Sequence, residues 1–165
     1  MGRFTNALKK LMSEPKYTLY PVAIQVAGAC YYEKEFAQYL GTLGMPKNPN
    51  YLIKDPELFH GREYEYPYIP ALHLKLVPEP KNPHDRNAIY ISVSCDSLTK
   101  NKVGYVSASQ NEELLKLIKE RRIYALCGYF KGGNSIIHGE GDSIVECKGD
   151  YKLVVTAVVK KYEEK

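Results

Sequence analysis

Apolar positions recur at every second residue along two stretches of the chain. Leu72, Leu74 and Leu76 form one run, and Ile89, Ile91 and Val93 the other. Alternation with period two is the pattern of a strand with one buried face. The same alternation through Val22, Ile24 and Val26 predicts a first strand over Leu19 to Ala27. Gly28 then permits a bend, and Tyr31 and Tyr32 follow. On an extended chain neighbouring side chains point to opposite faces, so one of this Tyr pair is expected to face outward. Further strands are expected at Val103–Val106, Ile123–Phe130, Ser135–His138, Ser143–Lys148 and Tyr151–Lys160, the last two as a hairpin turning at Gly149-Asp150.

Helical spacing is rarer. Phe4, Leu8, Leu11 and Met12 share one helical face, so residues 1–16 are expected to hold a short docking helix stopped by Pro15. Glu35 to Leu40 suits a helical turn. Ser107 with Gln110, or Ser109 with Glu112, has capping-box spacing ahead of Leu114, Leu115, Leu117 and Ile118, which predicts a helix through Arg121. Residues 41–70 are crowded with Gly, Pro and Tyr and read as an irregular insertion in a single domain over 17–160. Residues 161–165 read as a charged, fraying tail. Six to eight short strands and two helices define a mainly β (α+β) class, a small antiparallel β-barrel.

Between the two central runs lies Pro78-Glu-Pro-Lys-Asn-Pro-His-Asp-Arg-Asn87. Its prolines fix φ and remove backbone donors, so it is neither helix nor central strand. Asn82, Asp85 and Asn87 suit turns, because their short side chains bond the nearby backbone. The segment is a stiff loop presenting Lys81, Asn82, His84, Asp85 and Arg86, and polar side chains on a rigid connection are where binding is expected. Tyr31, Tyr32 and Tyr105 add aromatic faces. Aromatic rings stack on unpaired bases while cations take phosphates. A carboxylate repels phosphate but accepts a bond from a sugar hydroxyl, so Asp85 suits a strand end better than continuous backbone. Lys131, on the Gly132-Gly133 turn, is a further candidate phosphate contact.

Composition narrows the chemistry only slightly. Fifteen Tyr and four Phe stand beside no Trp, which favours surfaces that are flat on one side and polar at the tip. A net charge of +4 tolerates a polyanion without demanding one. Cys30, Cys95, Cys127 and Cys147 show no C-x-x-C spacing and read as reduced cytoplasmic thiols. No secretory leader and no membrane span are expected.

Enzyme chemistry finds little support. Gly128 to Ser135 approaches a phosphate-binding P-loop, but Asn134 stands where the motif needs Lys, and a strand follows where it needs a helix. Cys30, His84 and Asp85 form a thiol triad only if the fold brings them together. His60, His73, His84 and His138 lack metal-ligand spacing with each other or with the cysteines. The chain is expected to be no enzyme and to need no metal or cofactor.

Gly28 with Tyr31-Tyr32, then Glu79 to Ile89, then Val103-Gly-Tyr-Val106 and a Leu-rich helix, together resemble the HIRAN domain family. The resemblance spans about Tyr20 to Gly132. It implies an OB-like barrel. HIRAN domains are fused to helicase-like DNA translocases in eukaryotes and also occur as small free-standing bacterial and phage proteins. The resemblance further implies binding of the 3′ end of single-stranded DNA, with Tyr31 stacking on a base, Asp85 meeting the terminal hydroxyl and Asn82 nearby. This chain departs from the pattern at Cys30, His84 and Ala108, where DNA-binding members carry Arg, an aromatic and Lys, and Gly132 aligns with a phenylalanine that Phe130 replaces only approximately. The expected function is a non-catalytic nucleic-acid-binding module acting on single-stranded DNA, in repair or replication, alongside a DNA-processing protein. Two other classes stand beside it: a protein-interaction module using the Tyr- and Pro-rich insertion, and a thiol-dependent enzyme.

Overall fold

A computed structural model describes residues 16–55, 57, 61–96, 100–139 and 143–163. The expected N-terminal helix, His60 and the last two residues lie outside this set. The described residues form eleven strands: β1 Tyr17–Ile24, β2 Val26–Ala27, β3 Arg62–Tyr64, β4 Ile69–Pro70, β5 Lys75–Pro78, β6 Ile89–Val93, β7 Asn101–Val106, β8 Ile123–Gly132, β9 Ser135–His138, β10 Ile144–Cys147 and β11 Tyr151–Tyr162. Three helices accompany them: α1 Glu33–Leu43, α2 Pro49–Ile53 and α3 Ala108–Lys119.

The strands form three sheets, ordered β1-β11-β8-β4, β2-β7-β6-β5 and β10-β9-β3, and every pairing among the described residues is antiparallel. The mainly β, antiparallel class read from the sequence therefore stands. The first two sheets bury their inner faces against each other. Leu153, Val155, Ala157 and Val159 of β11 meet a core that includes Ile89, Ile91 and Val93 of β6. Phe36 and Tyr39 of α1 and Leu114 and Leu117 of α3 cover the rest.

Several elements differ from their sequence reading, each for a local or pairing reason. The first strand breaks at Gln25, where the chain leaves the first sheet for the second. The Leu72–Leu76 run becomes strand only from Lys75, because Leu72 and His73 lie in a turn with His73 at φ 44°. The 41–70 stretch is not irregular throughout. It carries the end of α1, all of α2, β3 and β4. Asn48 caps α2 through the Asn50 amide at 3.1 Å, with Pro49 in the first turn, and β3 pairs with β9. Elements of two to five residues are too short for periodicity to show.

The expected β10–β11 hairpin does not form. β10 pairs with β9, whereas β11 pairs with β1 and β8. Gly149-Asp150 is thus a crossing between sheets. Gly133 is required there, since a Cβ would lie 2.2 Å from Cζ of Tyr151 and its φ is 84°. Neither capping box closes: the Ser107 hydroxyl meets the Ser109 hydroxyl at 3.1 Å and bonds no helix amide, and the Gln110 side chain reaches Gln25 N at 2.7 Å and Ala23 O at 3.0 Å. Those bonds fasten α3 to the corner between β1 and β2. Strand β11 runs on through Tyr162, into the stretch read as a tail.

Candidate nucleic-acid interface

The loop 78–87 leaves β5 and returns as β6, and its own side chains fix its shape. Asn82 Oδ1 accepts from the amides of His84 at 2.9 Å and Asp85 at 3.2 Å. Asp85 Oδ1 accepts from the Asn87 amide at 2.7 Å. These are the Asx turns that the Asn and Asp spacing predicts. Asp85 Oδ2 accepts from Asn111 Nδ2 at 2.8 Å, which anchors the loop to the first turns of α3. Asn111 is buried, and its Oδ1 has no partner among the described residues.

Beneath the loop lies a polar cluster of which the sequence reading named Asn82 and Tyr105 but not Glu79 and Lys102. Tyr105 Oη donates to Glu79 Oε2 at 2.7 Å, and Asn82 Nδ2 donates to the same carboxylate oxygen at 2.7 Å. Lys102 bonds the Tyr105 hydroxyl and reaches Glu79 Oε1 at 3.3 Å. Its ammonium sits 4.2 Å from the ring centre of Tyr105, 4.9 Å from Tyr90 and 5.9 Å from Tyr32. Cations are attracted to aromatic faces at these distances. The bonds from Tyr105 and then Asn82 hold the Glu79 carboxyl below its ordinary value. Burial alone would lower the Lys102 ammonium, but its bonds to Tyr105 and Glu79 outweigh that and raise it. Burial raises the Tyr32 hydroxyl.

Lys102 and Tyr105 are an odd number of residues apart, so a regular strand would point them to opposite faces. The register slips between Ile91 and Ser92, where Ile91 faces Gly104 but Ser92 faces Lys102. This bulge returns both side chains to one face. The signal available in the sequence was the Gly within the strand, which often marks a bulge.

Sequence-predicted residues sort into three groups. Tyr32, Asn82, Asp85 and Tyr105 join one network, through a 6.3 Å ring contact between Tyr32 and Tyr105 and the bonds above. Asn82 spends its amide on Glu79 and on Tyr105 of β7 and its oxygen on loop amides, so it shapes the site and does not project from it. Tyr31, Lys81, His84 and Arg86 are exposed around this network, Tyr31 at 85%. The Tyr pair diverges as expected, though on a 3-10 turn over Ala29–Tyr32 and not on a strand. Lys131 stands apart, exposed on β8 in the other sheet.

Among the described residues no hydrogen bond joins Cys30 to His84. Cys30 lines a cleft of about 750 Å³ with Phe36, Leu40, Tyr66 and Tyr151, and no loop residue lines it. Both Asp85 oxygens are engaged with Asn87 and Asn111. Among the described residues no His, Cys, Asp and Glu cluster could hold a metal, and no helix is long and apolar enough to cross a membrane.

A rigid loop, a sequestered cation and exposed aromatic and basic side chains on a small β framework define a binding module. Comparison with family models finds a resemblance over part of the chain: the HIRAN domain model matches residues 67–134. HIRAN domains are nucleic-acid-binding modules, which supports a DNA-binding role. The match takes in the loop, β6, β7, α3 and β8, and leaves Tyr31 and Tyr32 outside it. No curated protein and no solved structure matches the chain.

Proposed function

We propose that the chain is a non-catalytic module that grips the 3′ end of single-stranded DNA. The observation that carries this reading is the Tyr31 ring, 85% exposed and one residue from the Tyr32–Tyr105 contact that borders the fixed loop. An open ring on a stiff support offers a stacking face at little ordering cost. Asp85 accepts one bond on each oxygen, and a carboxylate oxygen has lone-pair room for another from a terminal sugar hydroxyl. Lys81, His84 and Arg86 line the rim where the adjoining phosphates would run. A cytoplasmic setting belongs to the same reading and is supported by four free cysteines. So does a role beside a DNA-processing protein in repair or replication.

Fluorescence anisotropy with short single-stranded oligonucleotides tests it, one set ending in a free 3′ hydroxyl and one in a 3′ phosphate. The free end binds more tightly. Asp85→Asn keeps an acceptor for the Asn87 amide and abolishes the preference. Tyr31→Ala weakens binding to the free end by about 1–3 kcal/mol. Equal binding of both ends by the unaltered protein would sink the proposal.

A further inference from the structure

The outer face of the first sheet has an unusual makeup. An antiparallel sheet with one solvated face normally turns mixed polar residues outward. Directly opposed residues in antiparallel strands share a face, so the register states what points out. Tyr17 faces Tyr162, Leu19 faces Lys160, Val154 faces Tyr129 and Lys152 faces Lys131. Alternate residues of β11 from Lys152 to Tyr162 are the outward set, because Leu153, Val155, Ala157 and Val159 are buried. None of the outward positions of β1, β8 and β11 that this register assigns is a carboxylate. The flanking acids sit beyond the strand ends. Glu163 follows β11, and Asp150 precedes it in a shallow hollow shared with Lys131 and Lys152.

The rings and cations are grouped at the two ends of this face. At one end Lys160 lies 4.9 Å from the ring centre of Tyr17 and 5.7 Å from that of Tyr124. At the other, Tyr68 stacks on Tyr129 at 5.5 Å, beside exposed Lys131 and Lys152. Tyr17, Tyr68 and Tyr124 are 42%, 54% and 58% exposed. Lys152 and Lys160 are eight residues apart on one strand, which at about 3.3 Å per residue is roughly 26 Å. Exposed rings to stack on bases, lysines to meet phosphates and strand positions without an outward carboxylate are the chemistry of a track for a single strand, with Asp150 confined to one end of it. The length fits the handful of nucleotides that a small β-barrel domain covers.

We infer that the outer face of the β1-β11-β8-β4 sheet is a second nucleic-acid site, which binds the body of a single strand without needing an end. The inference rests on the reading of this chain as a nucleic-acid-binding protein, but not on end recognition. It also gives Lys131 a role that the loop site does not.

A short closed circle of single-stranded DNA, labelled internally, has no end and isolates this face. Anisotropy shows the intact protein binding the circle. Tyr124→Ala with Lys160→Ala weakens that binding about tenfold or more, while the preference of short oligonucleotides for a free 3′ end persists. Lys131→Glu with Lys152→Glu leaves the rings in place and weakens circle binding similarly. Circular dichroism melts of both double variants confirm that they fold. If the free-end preference is absent and the circle still binds through Tyr124 and Lys160, the end-recognition reading fails and this one stands. No binding of the circle, or equal binding by folded double variants, overturns it. So does a dimer that Tyr124→Ala splits without altering affinity for DNA, since the face would then belong to a second copy.

Discussion

Glu79 and Lys102 show how single side chains are held at this site. Glu79 is fixed by a hydroxyl, an amide and an ammonium, all donors to a charged carboxylate, and such bonds are the stronger kind. Its folded value lies below the ordinary 4.5. A depressed carboxyl stabilises the fold fully above the unfolded value and loses that contribution as the pH falls through the folded one. Glu79→Gln is therefore expected to lower the melting temperature near neutral pH, with the gap from the unaltered protein closing as the pH drops below 4.5. Melting curves taken across that range check this, and parallel curves would count against it. Asn82, Asp85 and Tyr105 were legible in the sequence as candidates. Lys102 was not, because its approach to Tyr105 depends on a register slip that Gly104 only hints at and that the pairing with β6 decides.

Elements carry the site through their connections. The loop 78–87 is anchored at both flanks, to β7 through Tyr105 and to α3 through Asn111. The run before it, from β4 to β5, is tied to α1 by one residue. Tyr39 is fully buried, donates to Pro70 O at 2.7 Å and accepts from Leu72 N at 2.8 Å. Burial raises its hydroxyl above the ordinary value, so it stays neutral and keeps both bonds. Tyr39→Phe leaves a carbonyl and an amide unsatisfied in the interior, which costs about 1–3 kcal/mol. Urea denaturation measures the loss, and a change below a few tenths of a kcal/mol would mean that water or another group replaces the hydroxyl. The helical turn expected at Glu35 to Leu40 marked α1 correctly. Its partner in the crossover was invisible, since Tyr39 and Pro70 are 31 residues apart.

At the scale of the molecule, two sheets close on a common core and leave two outward surfaces of different character. One carries the loop and its rim of Lys81, His84 and Arg86, and the other carries Lys131, Lys152 and Lys160. A net charge of +4 is small, so binding depends on where the cations stand more than on their total. Each lysine or arginine that contacts phosphate on a single strand adds about 0.7 to the slope of log affinity against log salt. Lys81→Ala and Arg86→Ala are expected to flatten the slope for short free-ended oligonucleotides by about that amount each. A salt titration of anisotropy for each variant supplies the number. An unchanged slope would remove that residue from the phosphate path.

What the sequence determined by itself was what neighbours impose on one another. Alternation marked β6, the prolines and Asx residues predicted a rigid loop, and the Asn-Pro-His-Asp-Arg-Asn segment with Val-Gly-Tyr pointed to the HIRAN family. These signals are local, set by φ restriction, short side-chain bonds and the two-residue period of a strand. Tertiary structure alone decided which strands pair. It sent β10 to β9 and β11 to β1 and β8, placed Lys102 among three tyrosines and brought Tyr17, Tyr129, Tyr162, Lys131, Lys152 and Lys160 to one face of the first sheet. The physical reason is that a one-residue slip in register turns a side chain to the opposite face, and register is settled between segments far apart in the chain.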